Sequence, residues 1–162
     1  MAASGDALPT DLSALRSALA RGRRHFPGLR LRDLDGVDLD LSDCDLRGSC
    51  FREGRFGRAC LRRAQLESCS FQQALLWSAD LSEAQAAASF WQEADLSSSR
   101  LQRADFSRCL LHRACLRGVV AADSLWREAR LVEVDFRSGL DQLTDLGGAD
   151  FHGADLSFAL LQ

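Results

Sequence analysis

The chain is 162 residues long, 46% hydrophobic and 27% charged, enough for one domain with one core and too apolar for extensive disorder. Its formal net charge of −3 fits neither a nucleic-acid-binding surface nor a strong polyanion. It has no run of 18 apolar residues and no basic-then-apolar leader, so neither a membrane span nor a secretory signal is expected, and the expected location is the cytoplasm.

Residues 1–9 carry no pattern and are expected to form a disordered tail. Residues 10–24 read as a capping helix. Thr10 or Asp11 is the N-cap, Leu12, Leu15 and Leu19 form an apolar stripe, and Gly22 is a stop signal. Phe26, Leu29, Leu31 and Leu34 follow without a clear rhythm, and Gly36 interrupts them, so an irregular starting coil is expected there.

From Leu41 to Leu161 every fifth residue except Asp141 is apolar, and 20 of these 25 positions are Leu or Phe, although those two types make up only 37 of the 162 residues. Two residues before each lies a small one: 21 of the 25 positions from 39 to 159 are Ala, Ser, Cys or Gly. A period of five is neither the 3.6 of a helix nor the 2 of a strand. It requires a backbone that returns to the same environment every five residues.

The segments "SADLS" at 78–82, "EADLS" at 93–97, "RADFS" at 103–107 and "GADLS" at 153–157 resemble the A(D/N)LXX motif of pentapeptide-repeat proteins. The resemblance implies an all-β fold, a right-handed quadrilateral β-helix over residues 25–162. It implies four pentapeptides per 20-residue turn and about six coils, with the short N-terminal α-helix as a cap. Leu or Phe would point inward at the middle of each side, with the small residue inside near each corner. Phe51, Phe71, Trp91, Leu111, Leu131 and Phe151 would then stack on one side.

Departures from the motif are informative. Ala86 precedes Trp91 and Ala121 precedes Trp126, so each oversized ring is offset by a missing side chain on the preceding side. Asp141 breaks the apolar series inside "SGLDQLTDL". A buried unpaired Asp is costly, so 139–144 are expected to bulge outward, with Leu140 or Leu143 taking the core place. The series stops in phase at Leu161 with no cap, which makes Leu156, Phe158 and Leu161 a candidate homodimerisation end.

Catalytic chemistry finds no support. Cys44, Cys69 and Cys109 fall in the small interior slot, whereas Cys50, Cys60 and Cys115 precede core residues and should face outward. No two cysteines are 20 apart and no CxxC occurs, so free thiols in a reducing compartment are expected rather than disulfides or a metal site. There is no phosphate loop, GxSxG or dinucleotide fingerprint. The Asp residues before core positions are read as serving turns. No catalytic residue, cofactor or metal is assigned, and the chain is not expected to be an enzyme.

Function is therefore expected on the outer faces. Asp43, Arg63, Glu83, Arg103 and Asp123 form a charge-alternating ladder at 20-residue spacing. Charge is segmented: +4 over 1–32, −6 over 33–45, +5 over 46–66 and −6 over 67–162. Arg47, Arg52, Arg55, Arg58, Arg62 and Arg63 make a basic collar. Leu75 and Trp77 flank a core Leu, while Phe90 and Leu110 stack in adjacent coils. The partner-binding candidates are Leu75, Trp77, Phe90, Leu110, Arg55, Arg58 and Arg62. The expected function is a non-catalytic scaffold for a partner protein, without direct nucleic-acid or membrane binding. The alternative is a DNA mimic acting on DNA gyrase, as the resemblance to Qnr- and MfpA-like members implies. That role calls for a long acidic rod, which the Arg collar interrupts.

Overall fold

The computed structural model describes residues 7–161. Residues 1–6 of the expected tail lie outside that range; Pro9 is buried and the Ala7 carbonyl accepts a hydrogen bond from Arg23 Nη1 at 2.9 Å. Helix α1 runs Leu12–Ala20. Asp11 is its N-cap, extended in backbone, with Oδ1 accepting from the Ala14 N–H at 2.8 Å. The helix ends where Gly22 takes φ +86° and donates to Leu19. It buries Leu15 and Ala18, with Leu12 and Leu19 half-covered, so the apolar stripe packs on the start of the coil.

From His25 onward the backbone pairs in parallel bridges one residue long. They recur every five residues and join positions 20 apart: His25 to Asp45, Arg30 to Cys50, Asp35 to Arg55, Asp40 to Cys60, and so on to Cys115–Asp135. One turn therefore takes 20 residues and four bridges. The expected irregular start is corrected: the register is already regular at His25. Gly36 holds a normal core position, and the Phe56 ring one turn later fills the space a side chain there would need.

The five-residue period has a local cause. After each core residue the chain turns, and the core carbonyl accepts from the N–H three residues on, as Leu41 does from Cys44 at 3.2 Å. Of the two central residues only the second has positive φ, as at Asp43 with φ 57°, which defines a type II turn. Bridge residue, core residue, two turn residues and an inward small residue make one unit. The Asp before the core residue caps the turn. Asp40, Asp80, Asp95 and Asp105 each accept through Oδ1 from the N–H two residues on, at 2.9–3.0 Å.

The core is a continuous column of Leu and Phe with rings in contact along its length. Phe71 stacks on Trp91 at 4.3 Å between centroids, and Phe106 on Trp126 at 4.7 Å. Trp91 also meets Phe106 at 5.3 Å, in the space that Ala86 leaves. A buried indole N–H needs an acceptor, and a serine two residues earlier supplies it: Trp91 Nε1 donates to Ser89 Oγ and Trp126 Nε1 to Ser124 Oγ. Each hydroxyl in turn donates a hydrogen bond to a core-position carbonyl, Ala86 or Ala121.

Past Arg137 the register changes. Val120 pairs with Asp145, Leu125 with Asp150 and Arg130 with Asp155, each 25 residues apart rather than 20. One whole pentapeptide is looped out. Asp141 does lie outside the core, but the expected replacement is corrected: Leu140 is 100% exposed and Leu143 77% exposed. No side chain takes over, because the missing side is omitted and the next turn restarts at Asp145 and Leu146. The expected stack is corrected with it, since Phe151 lies parallel to Trp126, 6.0 Å away, and not over Leu131.

Candidate interaction surface

The outward residues fall into columns set by the bridge register. One column reads Asp35, Arg55, Leu75, Asp95, Cys115, Asp135, and the turn beside it brings Gly57, Trp77, Ser97 and Arg117 into line. Leu75 is 40% exposed. Trp77 is only half-exposed, since its indole lies flat on Gly57, where even a methyl group would collide with the ring. The Arg58 guanidinium sits over the ring, 5.0 Å from its centroid. Phe90 and Leu110 are bridge partners, as their spacing implies, and each is half-buried.

The basic collar is largely paired. The acidic stretch 33–45 lies one turn below it, so the two segments face each other. Arg58 Nε and Nη2 grip Asp38 at 2.8 and 2.9 Å, and Arg63 grips Asp43 in the same way at 2.7 and 2.9 Å. Arg55 reaches Asp35 at 3.7 Å, Arg62 reaches Asp80 at 3.5 Å and Arg47 holds Asp45 at 2.8 Å. Hydrogen bonds from these arginines keep Asp38, Asp43 and Asp45 below the usual carboxylate range. Farther along, Glu83–Arg103 and Arg113–Glu133 repeat the device at 3.0 and 2.9 Å. Arg55, Arg58 and Arg62 thus present hydrocarbon stems and spare N–H donors rather than an unopposed positive field.

The far end is the reverse. Leu146, Phe151 and Leu156 are only partly covered, and Phe158, Leu160 and Leu161 are exposed. Among the described residues, the N–H groups of Leu146, Phe151 and Leu156 have no backbone acceptor, whereas the same positions one turn earlier donate onward. Among the described residues, the last turn thus leaves this backbone edge unpaired.

The family model for pentapeptide repeats matches in 8 copies over residues 40–77, 59–88 and 92–121, within the stretch where bridges recur every 20 residues. The chain belongs to the pentapeptide-repeat proteins. Trypsin-treated variants of QnrB1, a plasmid-mediated fluoroquinolone resistance protein, share its fold. One is 23% identical with a TM-score of 0.65, over 85% of this chain and 67% of that one. The other is 22% identical with a TM-score of 0.63, over 85% and 70%. HetL from Nostoc sp. strain PCC 7120, a pentapeptide-repeat protein involved in heterocyst differentiation regulation, aligns at 21% identity over 94% of this chain and 95% of that one, with a TM-score of 0.26. No curated protein sequence matches.

In this pentapeptide-repeat protein the cysteines follow their place in the motif. Cys44, Cys69 and Cys109 are buried, and burial pushes their thiols up to about 12, 12 and 11. Cys69 Sγ donates to the Leu46 carbonyl at 2.9 Å and Cys109 Sγ to Ala86 at 3.0 Å, so each fills a small slot and satisfies its proton. Cys50, Cys60 and Cys115 are half-exposed. Among the described residues no group of His, Cys, Asp and Glu could hold a metal ion, and no helix is long and apolar enough to cross a membrane.

Proposed function

We propose that this chain is a non-catalytic scaffold that binds a partner protein through the outer faces of a right-handed, four-sided coil. The observation that carries the reading is Leu75 and Trp77 held on the outer surface, the indole fixed between Gly57 and Arg58. A rigid, half-exposed aromatic costs little entropy to bury, which is what interface anchors need. Phe90 and Leu110 supply a second apolar strip. The six free thiols fit a reducing compartment, for which the cytoplasm is our assignment. Affinity purification from the native host with Trp77→Ala and Phe90→Ala variants tests the reading. Loss of one specific partner supports it, and no specific partner with the unaltered chain defeats it.

A second reading is a DNA mimic acting on DNA gyrase, with a homodimer through Leu156, Phe158 and Leu161 building the longer rod. Its support is the fold shared with QnrB1 and an acidic far end, where Asp141 and Asp145 make no ion pair with an arginine among the described residues. A gyrase supercoiling assay with and without a quinolone decides it: no effect at micromolar protein excludes the role.

A further inference from the structure

The looped-out pentapeptide is not slack. Thr144 Oγ1 donates to the Arg137 carbonyl at 3.0 Å and accepts from the Gly118 N–H at 2.9 Å. Gln142 Nε2 donates to the Gly118 carbonyl, Arg117 Nη2 to the Ser138 carbonyl at 3.3 Å, and the Gly139 N–H to the Gln142 carbonyl at 2.8 Å. Polar groups pin both feet of the loop, yet its crest displays Leu140 and Leu143 to solvent. Nothing in the fold uses those two side chains, and an exposed apolar crest on a fixed loop suits intermolecular contact.

Beneath the loop lies a cleft of about 490 Å³, floored by Ser97, Ser98 and Cys115 and walled by Leu140 and Asp141. That size suits one or two side chains of a ligand. The bridge register places the cleft on the same side of the coil as Leu75 and Trp77, whose turn column continues through Ser97 to Arg117, two turns or roughly 10 Å along. Of its two charged lining residues only the acid is without an ion-pair partner among the described residues. Arg117, the one cation lining it, is committed to the Ser138 carbonyl and to Asp135 at 4.0 Å. Asp141 on the wall and Asp95, one bridge below Cys115, have no ion-pair partner among the described residues.

We propose that this cleft takes an extended protein segment in which an apolar side chain is flanked by Arg or Lys, the apolar group packing against Leu140 and the bases meeting Asp141 and Asp95. The inference rests on the scaffold reading and gives that reading an address.

End-blocked, fluorescein-labelled hexapeptides centred on Arg-Leu-Arg, Arg-Ser-Arg or Glu-Leu-Glu, titrated with the full chain and followed by anisotropy, test it. The Arg-Leu-Arg peptide should bind saturably and the other two about tenfold more weakly or less. Leu140→Ser should weaken it about tenfold and Asp141→Lys about threefold or more, both without lowering the melting temperature, since neither side chain packs in the fold. In a Cys50→Ser, Cys60→Ser background, saturating peptide should slow alkylation of Cys115. No saturable binding, equal binding of the Glu-Leu-Glu peptide, or full affinity in both variants overturns the proposal. A specific partner lost on Trp77→Ala but kept on Leu140→Ser also overturns it, while leaving the scaffold reading intact.

Discussion

Ser89 and Ser124 show how far one atom matters in this core. Each sits in a slot that tolerates Ala, but each accepts from a buried indole. Replacing either with Ala leaves an indole N–H without a partner, which costs about 1–3 kcal/mol. Thermal unfolding should therefore show a clear drop for Ser89→Ala, whereas Ala84→Ser, in the same slot beside no Trp, should not give the mirror gain. The turn residues present the opposite case. Gln73 holds φ 59° with a side chain that prefers negative φ. Gln73→Gly is expected to raise stability by up to about 1 kcal/mol, and Gln73→Val to lower it, as read from denaturant midpoints. The thiols give a third test. With iodoacetamide at pH 8, mass spectrometry should find Cys50 and Cys60 modified in the native protein and Cys44, Cys69 and Cys109 protected, by burial and by thiols raised to about 11–12.

At the scale of one turn, packing is settled between neighbouring turns rather than within a pentapeptide. Phe56 fills the gap over Gly36, Trp91 the gap left by Ala86, and Trp77 lies on Gly57. Gly57→Ala places a methyl group where the Trp77 ring lies. The indole should be displaced into solvent, visible as a red shift of the tryptophan emission while Trp91 and Trp126 stay buried. The Ala–Trp pairing was legible in the sequence because both members lie on consecutive sides. The indole–serine bond was legible in principle, since both Trp residues have Ser two positions earlier, but the small-slot rule accounted for those serines without it. The Trp77–Gly57 contact was hidden, because the two are 20 residues apart and only the bridge register aligns them.

Across the whole molecule, charge pairs between turns (Arg58–Asp38, Arg63–Asp43, Arg113–Glu133) and within a turn (Arg47–Asp45, Arg137–Asp135) set the response to acid. Asp38, Asp43, Asp45, Glu133 and Asp135 all have folded pKa values below their unfolded ones, chiefly through arginine hydrogen bonds. Such pairing stabilises fully above the unfolded carboxylate pKa of about 4 and is lost as pH falls through the lower folded value. Melting temperature should thus hold from neutral pH to about pH 5 and decline below about pH 4. Asp135→Asn should show a shallower acid limb. The collar that reads as a basic patch along the chain proved to be half of these pairs, a result decided by which acidic stretch lies one turn below.

By itself the sequence determined the five-residue unit, because every pentapeptide must deliver one apolar side chain inward, close a type II turn and bring a small residue to the corner. That requirement acts on each unit separately and leaves its mark in every one. The stacking of turns was decided only in three dimensions. Looping out residues between Arg137 and Asp145 removes one complete unit, so the phase of the five-residue period is kept while the 20-residue register shifts to 25. Asp141 marked the bulge in the sequence, but a phase that is kept does not show that a whole unit is skipped. Phe151 therefore meets Trp126, and Leu140 stands at the crest of a pinned loop, because backbone pairing and ring packing placed them there.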